Sequence, residues 1–247
     1  MVIPAYNAAQ TIGNAIESCL QQSYEAHEII VVDDASTDDT EEVVKQHDGN
    51  VRYIKLLKNT GSATARNKGM SIATGDYIAF LDADDIWHEN KLGICASILN
   101  GVPGIKLLYH TYTLDDINSV NIPEGATLYR TPFVKLLQRN LVATPCAVIK
   151  NEKKYEFNTD MRYSEDYDLW LRMAYKHKAY FIDIPLTQLG RPVLSKGGIS
   201  ANKWGMRKGE LKAFTRLVKL NPLFILSLPF LYSYSLGKHI FKAISGR

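Results

Sequence analysis

The chain of 247 residues is long enough to bury a full hydrophobic core as one domain, with room for short appendages. Its 46% hydrophobic and 22% charged residues are the proportions of an ordinary soluble protein. The net charge of +3 is uneven: residues 203–247 carry nine Lys or Arg against one acid, Glu210, so this tail holds +8 and residues 1–202 hold −5. A weakly acidic body argues against a nucleic-acid binder that uses its main domain, whereas the basic tail fits an anionic membrane surface.

The cysteines and histidines indicate neither disulfides nor zinc. Cys19, Cys95 and Cys146 are odd in number, far apart and without a Cys-x-x-Cys pair, so we expect small core residues in a reducing compartment. The six histidines lack the His-x-His or His-x-x-x-His spacing of zinc ligands. No basic segment followed by an apolar one opens the chain, so a cytoplasmic location is expected. The opening strand of barely three residues leaves open a start further upstream.

The predicted elements begin with four rounds of strand and helix. Short apolar runs predict strands over 1–3, 28–32, 51–56 and 76–81, and helical spacing predicts helices from about 8, from caps at 36–38 to about 47, and over 61–73. This alternation predicts an α/β fold with a mostly parallel central sheet and helices on both faces. Ligands bind such sheets at the carboxyl ends of the strands, where five polar residues fall: Asn7, Asp33, Asp34, Asp82 and Asp84.

Beyond residue 88 the pattern is looser. We expect helices over about 88–99, 127–140 and 165–177, strands over 105–113, 180–184 and 186–189, and an extended segment over 146–150. No repeat or low-complexity linker is visible, so the simplest partition is one domain over 1–201, followed by a helical extension over 202–247.

The most informative stretch is residues 76–85, Asp-Tyr-Ile-Ala-Phe-Leu-Asp-Ala-Asp-Asp, an apolar run that ends in three carboxylates. If the strand continues through it, Asp82 and Asp84 point the same way, with only Ala83 between them. Two carboxylates in one small site repel each other unless a cation lies between them, and hard oxygen ligands suit Mg²⁺ or Mn²⁺. Such an ion keeps positions open for substrate phosphates, so the motif indicates a metal that bridges protein and diphosphate. A turn with a helix cap is the alternative.

Five segments occur together and in order: Ile-Pro-Ala-Tyr-Asn, Ile-Ile-Val-Val-Asp-Asp-Ala-Ser-Thr-Asp-Asp-Thr, Ala-Arg-Asn-Lys-Gly, Phe-Leu-Asp-Ala-Asp-Asp and Ser-Glu-Asp-Tyr-Asp-Leu-Trp. With this set the chain resembles glycosyltransferase family 2, the GT-A nucleotide-sugar transferases, over about residues 1–200. The resemblance implies a GT-A, Rossmann-like fold with a nucleotide-binding half over about 1–100 and an acceptor half over about 101–201. It also implies an inverting transfer of a sugar from a nucleoside-diphosphate sugar, with UDP expected, to an acceptor hydroxyl in polysaccharide or cell-surface glycan synthesis.

The resemblance further implies roles for single residues. Asp34, or its neighbour Asp33, would accept a hydrogen bond from uracil N3–H, and Arg66 would lie near the nucleotide as a partner for phosphate or for Asp34. Asp82 would contact the ribose, or the ion through water, and Asp84 would bind the Mn²⁺ or Mg²⁺ directly. The alternative is that Asp33 and Asp34 only cap the loop and that Arg66 is an exposed charge on a helix. The whole pocket would be lined by Pro4, Tyr6, Asn7, Asp33, Asp34, Arg66, Asp82 and Ala83.

Glu165 and Asp166, which open the predicted helix over 165–177, would form the catalytic pair. We expect the helix dipole to keep Asp166 ionised, so that it takes a proton from the acceptor hydroxyl as that group attacks the sugar. The leaving diphosphate already has the cation as its charge partner, so no catalytic acid is required. The alternative is that both acids only favour the helix start electrostatically.

Two later segments are less defined. Family members often carry His or Arg and then Ser on a loop over the diphosphate; here Arg191 and Lys196 would take that role, and a flexible polar loop is the alternative. Residues 222–237 carry no charge, but 16 residues with Pro229 inside fall short of a membrane span. They would lie in the membrane interface, which makes the enzyme peripheral on the cytoplasmic face, or pack on the domain as a terminal helix.

Two other classes stay open at this stage. Haloacid-dehalogenase phosphatases also carry Asp-x-Asp after an apolar strand, but that strand starts their core, whereas here it is the fourth. A non-catalytic nucleotide-sugar binding module would keep the pocket without the transfer. For the transferase, the expected partners are a nucleoside-diphosphate sugar and a glycan or lipid-linked saccharide acceptor, with no nucleic acid.

Overall fold

Two sheets form the centre of the fold in a computed structural model that describes residues 1–47, 50–123, 125–192 and 199–244. The first sheet is parallel, with β2 (Ile29–Asp33) between β1 (Val2–Ala5) and β3 (Val51–Lys55). The second has the order β4-β8-β6-β9-β5, with β7 paired to β9. Its strands are β4 (Tyr77–Ala79), β5 (Ile86–Trp87), β6 (Leu107–Thr113), β7 (Leu128–Thr131), β8 (Ala147–Lys150) and β9 (Ala179–Gln188).

A short parallel bridge joins the two sheets. Val2 of β1 pairs with Phe80, just after β4, and the Leu81 N–H donates to the Val2 carbonyl at 3.2 Å. In the second sheet β6 and β9 run parallel, whereas β8 runs antiparallel to both β4 and β6. The bridge brings the carboxyl end of β4 beside those of β1 and β2.

Helices cover both faces of the first sheet, because successive strand residues point to opposite sides. Val2 and Val32 belong to one hydrophobic cluster, and Ile3 and Val31 belong to the other. The predicted α/β fold with helices on both faces is confirmed. The helices are α1 (Ile12–Leu20), α2 (Thr40–Lys45), α3 (Ser62–Ile72), α4 (Lys91–Gly101), α5 (Phe133–Gln138), α6 (Glu165–Lys176), α7 (Lys203–Leu217) and α8 (Leu228–Ile244).

The predicted helix over 127–140 is partly wrong. Leu128–Thr131 forms β7, and α5 begins only at Phe133. Pro132 explains the break, because a residue that precedes proline is pushed out of the helical region. The strands predicted over 180–184 and 186–189 are one strand, β9, which passes through Pro185 where the pairing register of β6 shifts.

The C-terminal helices pack on the rest of the chain. Two glycines of α7 lie against the turn before α6. A Cβ added at Gly209 would lie 2.3 Å from the Tyr163 carbonyl oxygen, and one added at Gly205 would lie 2.6 Å from the Tyr163 ring. Phe214 is fully buried in the same hydrophobic cluster as Trp170 of α6. The partition at residue 202 stays a prediction. The described residues contain no helix with the length and apolar character that a membrane crossing requires.

Candidate functional site

The loops after β1 and β2 are held together by side chains predicted to line the nucleotide pocket. The Asn7 Oδ1 accepts from the Thr37 N–H at 2.9 Å, and the Asn7 N–H donates to Ser36 Oγ at 2.9 Å. Asn7 has a left-handed backbone, with φ of 48°. Tyr6 is half exposed. Pro4, one residue beyond the strand predicted over 1–3, is buried within β1 and pairs with β2.

Asp33 and Asp34 both have partners inside the protein. The Asp33 carboxylate is fully buried and accepts from the Tyr53 hydroxyl at 2.5 Å and the Ser36 N–H at 2.7 Å. Asp34 accepts from the Gly61 N–H at 2.6 Å and the Thr60 N–H at 2.8 Å, just before α3. Asp33 therefore presents no exposed oxygen to a base, and both carboxylates organise the loops around the predicted pocket.

The acidic motif after β4 is a turn, which corrects the prediction that Asp82 and Asp84 point the same way along a strand. β4 ends at Ala79, and the Asp85 N–H donates to the Asp82 carbonyl at 3.1 Å, which closes the turn. Ala83 is buried in the second hydrophobic cluster. Asp82 and Asp84 are partly exposed and make their side-chain contacts with two different arginines.

Arg66 joins the acidic motif to the start of α6. Its Nη2 donates to Asp82 Oδ1 at 2.6 Å and its Nη1 donates to Glu165 Oε1 at 3.3 Å. The guanidinium is 7% exposed and lies over the Phe157 ring at 5.4 Å. Asn67, the next residue, holds the same segment through two 2.8 Å hydrogen bonds with the Phe157 backbone. The Arg-Asn pair of α3 thus brings together two acidic motifs that are far apart in sequence.

Arg191 contacts the second aspartate of the motif. Its Nε and Nη2 donate to Asp84 Oδ2 at 2.7 and 2.5 Å. The preceding Gly190 N–H donates to Asp85 Oδ1 at 2.9 Å. Burial, together with the nearby carboxylates of Asp82 and Asp84, raises the pKa of Asp85 to about 8. Lys196, predicted beside Arg191, lies outside the described residues.

Glu165 and Asp166 form the first turn of α6, which follows Ser164 in a left-handed conformation. Asp166 Oδ2 accepts from Asn140 Nδ2 at 2.9 Å. Burial and then the charge of Asp166 raise the pKa of Glu165 to about 7. Burial also raises the pKa of Asp166, although the helix N–H of Tyr167 acts in the opposite direction. At Asp166 desolvation therefore outweighs the helix contribution to the pKa, and the ionised state of this carboxylate stays a prediction.

Comparisons with known proteins decide the family. The model of Glycosyl transferase family 2 matches residues 1–101. Over its whole length the chain is 30% identical to UDP-Glc:alpha-D-GlcNAc-diphosphoundecaprenol beta-1,3-glucosyltransferase WfgD of Escherichia coli, covering 97% of that protein. The chain belongs to glycosyltransferase family 2. This transferase is also 29% identical to a putative teichuronic acid biosynthesis glycosyltransferase, TuaG of Bacillus subtilis, over 90% of the chain and 88% of TuaG.

Solved structures show the same fold. The transferase superposes on S. aureus TarS 1-349 with a TM-score of 0.70 and 17% identity, over 96% of this chain and 70% of TarS 1-349. It superposes on the mannosyltransferase PcManGT from Pyrobaculum calidifontis, in complex with GDP-Man and Mn2+, with a TM-score of 0.67 and 19% identity, over 100% and 75% of the two chains. The predicted GT-A fold and glycosyltransferase activity are confirmed, which sets aside the phosphatase alternative.

The transferase offers few protein ligands for a metal. Among the described residues, no group of three or more His, Cys, Asp or Glu is arranged to hold an ion. Asp82 and Asp84 nevertheless suit Mg²⁺ or Mn²⁺, since these ions are usually held by one or two carboxylates with substrate phosphates and water. Their carboxylates are about 30% exposed and can therefore be reached by a ligand. The donor set fits an ion that binds together with a diphosphate.

Sequence reasoning missed three contacts of the site. Asn140 donates to Asp166, and Ser62 Oγ donates to Glu165 Oε1 at 3.2 Å. Asp85 accepts from the Gly190 N–H. Asn140 stood at the end of a predicted helix, and nothing in the local pattern marked it as polar support for an acid 26 residues later. Asp85 stood in the motif itself, but its local pattern indicated neither its burial nor its contact with Gly190, which is 105 residues away.

Proposed function

We propose that this family 2 transferase moves a sugar from a UDP-sugar to an acceptor hydroxyl by a single displacement that inverts the anomeric carbon. The observation that supports the proposal most is the contact of Arg66 with both Asp82 and Glu165. This contact brings the motif suited to a diphosphate next to the motif suited to proton removal. A donor sugar between the two would have its leaving group on one side and its attacking hydroxyl on the other.

The donor side is proposed to hold a nucleoside diphosphate. Tyr6 and Asn7 would line the nucleotide at the rim, and Asp34, which is only 3% exposed and is bonded to the loop before α3, would hold the loops that surround the base. Asp84, with Asp82 beside it, would hold a Mn²⁺ or Mg²⁺, which when bound neutralises charge on the diphosphate. The names of two solved neighbours support this choice, since TarS was solved in complex with UDP and with UDP-GlcNAc.

Asp166 is proposed as the general base. Its raised pKa makes the carboxylate a better proton acceptor near neutral pH than an ordinary aspartate. As the acceptor oxygen bonds to the anomeric carbon, its proton passes to Asp166 and the bond from that carbon to the diphosphate oxygen breaks. Asn140 fixes the carboxylate through the 2.9 Å hydrogen bond. Glu165, held by Arg66 and Ser62, supports the helix start from the other side.

A substitution of Asp166 by Asn tests the assignment. The change keeps shape and removes the proton acceptor, so transfer from a UDP-sugar should fall about 10²–10⁴-fold while UDP binding stays within about twofold. Product formation is measured by UDP release, and binding by calorimetry. Asp183→Asn, at an exposed position of β9, is the matched control and should leave both unchanged. Undiminished release by Asp166→Asn would rule out this base.

We further propose a lipid-linked saccharide as acceptor and a membrane contact through the C-terminal helices. Leu223, Leu226 and Phe230 are 70–78% exposed, and they follow the basic helix α7. An apolar groove of about 430 Å³ between α5 and α8 is lined by Leu223 and Phe230 together with Val134. Exposed apolar area of this kind marks an interaction surface. The name of WfgD, whose acceptor is a diphosphoundecaprenol-linked sugar, supports the choice.

Vesicle sedimentation tests the membrane contact. The triple variant Leu223→Ser, Leu226→Ser and Phe230→Ser should lose most of its binding to vesicles rich in anionic lipid, because the inserted apolar side chains are gone. Leu57→Ser removes a fully exposed leucine after β3 and should sediment like the wild type. Equal sedimentation of the triple variant would contradict the contact without affecting the proposed chemistry.

A further inference from the structure

The contact between Asp84 and Arg191 uses the oxygen that a metal would need. Both Nε and Nη2 of Arg191 donate to one oxygen, Asp84 Oδ2, at 2.7 and 2.5 Å. A cation coordinated through this oxygen would meet the positive guanidinium at short range, and two positive charges on one carboxylate oxygen repel each other. The guanidinium and a divalent ion therefore compete for Asp84.

The backbone before Arg191 is fixed against the acidic motif. The Gly190 N–H donates to Asp85 Oδ1 at 2.9 Å, and the Leu189 N–H donates to the Thr113 carbonyl at 2.9 Å. Gly190 lies so close to Asp84 that an added Cβ would be 1.9 Å from the Asp84 carbonyl oxygen, so only glycine fits there. The side chain of Arg191 thus extends from a backbone that is fixed beside the motif.

The pair is accessible enough to exchange. The side chain of Arg191 is 50% exposed and that of Asp84 is 28% exposed. Ion pairs in such positions are weak, because water solvates both partners when they separate. An arginine fork also matches the oxygens of a phosphate, so a diphosphate near the motif offers the guanidinium an equivalent partner.

We propose that Arg191 is an exchangeable counter-ion: it holds Asp84 until a divalent cation takes the carboxylate, and it then pairs with the diphosphate of the incoming nucleotide. The inference rests on the proposed function, because it assumes a metal and a nucleoside diphosphate at this motif. Its consequence is cooperative binding. The cation alone must displace Arg191, whereas the cation with the nucleotide gives Arg191 a new partner, so each ligand raises the affinity for the other by the same factor.

The test is the affinity of the enzyme for Mn²⁺ alone and for UDP at saturating Mn²⁺. Free Mn²⁺ is followed by its electron paramagnetic resonance signal, and UDP binding is followed by calorimetry. In Arg191→Gln the competitor is gone, so Mn²⁺ alone should bind about threefold to fivefold more tightly. UDP in the presence of Mn²⁺ should bind at least about threefold more weakly, because the diphosphate loses a partner. Arg52→Gln, at an exposed position of β3, is the matched control and should change neither.

Asp84→Ala separates the possible failures. If Asp84→Ala abolishes Mn²⁺ binding and Arg191→Gln leaves the Mn²⁺ affinity unchanged, the counter-ion role is overturned while the proposed function stands. If Asp84→Ala binds Mn²⁺ and UDP as the wild type does, the metal does not use this motif and both proposals fall. Tighter Mn²⁺ binding in Arg191→Gln together with weaker UDP binding supports the exchange.

Discussion

The two aspartates of one motif are each paired with an arginine, yet the two pairs differ in every other respect. Asp82 pairs with Arg66, which is 7% exposed and also holds Glu165. Asp84 pairs with Arg191, whose side chain is 50% exposed. Only the backbone next to Arg191, at Gly190, is fixed to the motif. The difference teaches that burial, rather than charge pairing, decides which contact belongs to the framework and which can change partner during binding.

The largest effect should follow from the buried arginine. Arg66→Met leaves the carboxylates of Asp82 and Glu165 beside each other without their shared cation, and breaking a buried ion pair costs about 3–5 kcal/mol. Arg191→Met, in the exposed pair, should cost less than about 1 kcal/mol. Urea denaturation of both variants measures the free energy of unfolding. An equal loss of unfolding free energy in the two variants would contradict the distinction between the buried and the exposed pair.

A second buried cation, Lys91, has no carboxylate partner in the described part of the chain, so its removal should raise the free energy of unfolding where the removal of Arg66 lowers it. The side chain of Lys91 is fully buried over the Trp87 ring, its Nζ has no hydrogen-bond partner among the described residues, and burial lowers its pKa to about 8. At pH 7 the buried amine is still protonated, and its desolvation destabilises the folded state. Lys91→Met removes this cost and should raise the free energy of unfolding by up to about 3 kcal/mol.

The pH dependence identifies the cause of that gain. The folded pKa of Lys91, about 8, lies below its ordinary value of 10.5, so the unfolded chain binds more protons between these values and the wild type regains stability as the pH rises through them. The advantage of Lys91→Met should therefore shrink from pH 8 towards 10.5. Lys68→Met, at an exposed position of α3, should show neither effect. A destabilised Lys91→Met would mean that the ammonium has a compensating partner.

The proposed catalytic pair, Glu165 and Asp166, should give a smaller, graded effect on activity. Burial raises the pKa of Asp166, the proposed base, and burial and then the charge of Asp166 raise the pKa of its neighbour Glu165 to about 7. With a deprotonated base required, kcat/KM should fall by up to about tenfold per pH unit as the pH is lowered through the raised pKa of Asp166. Glu165→Gln removes a negative neighbour and should move the inflection to lower pH. A profile that stays flat from pH 5 to 8 would contradict the assignment.

Much of the fold could be predicted because it depends on short-range patterns. Continuous apolar runs marked β1, β2 and β4, and helical spacing of Ile12, Ile16 and Cys19 marked α1. The acidic residues of the motifs also stand out in sequence, because they follow buried strands, and their roles stay predictions. The helix predicted over 127–140 failed at Pro132, where a single residue changed the local preference.

The partners within the site could not be predicted, because they depend on long-range contacts. Arg66 and Glu165 are 99 residues apart, and Arg191 and Asp84 are 107 apart. Because the acidic motif forms a turn, Asp82 pairs with Arg66 and Asp84 pairs with Arg191, whereas strand alternation predicted that both side chains point the same way. The raised pKa of Asp166 also escaped prediction, because desolvation depends on packing that the helix position alone does not reveal.

Metal-dependent nucleotide binding tests the central claim most directly, namely that Asp84 serves a cation and a nucleoside diphosphate in one site. Thermal unfolding is followed with UDP at about 100 times its Kd, with and without Mn²⁺, for wild type and Asp84→Ala. UDP with Mn²⁺ should raise the Tm of the wild type by about 5–10 °C, and the shift should vanish without the ion or in Asp84→Ala. An equal shift without Mn²⁺, or an unchanged shift in Asp84→Ala, would contradict the account.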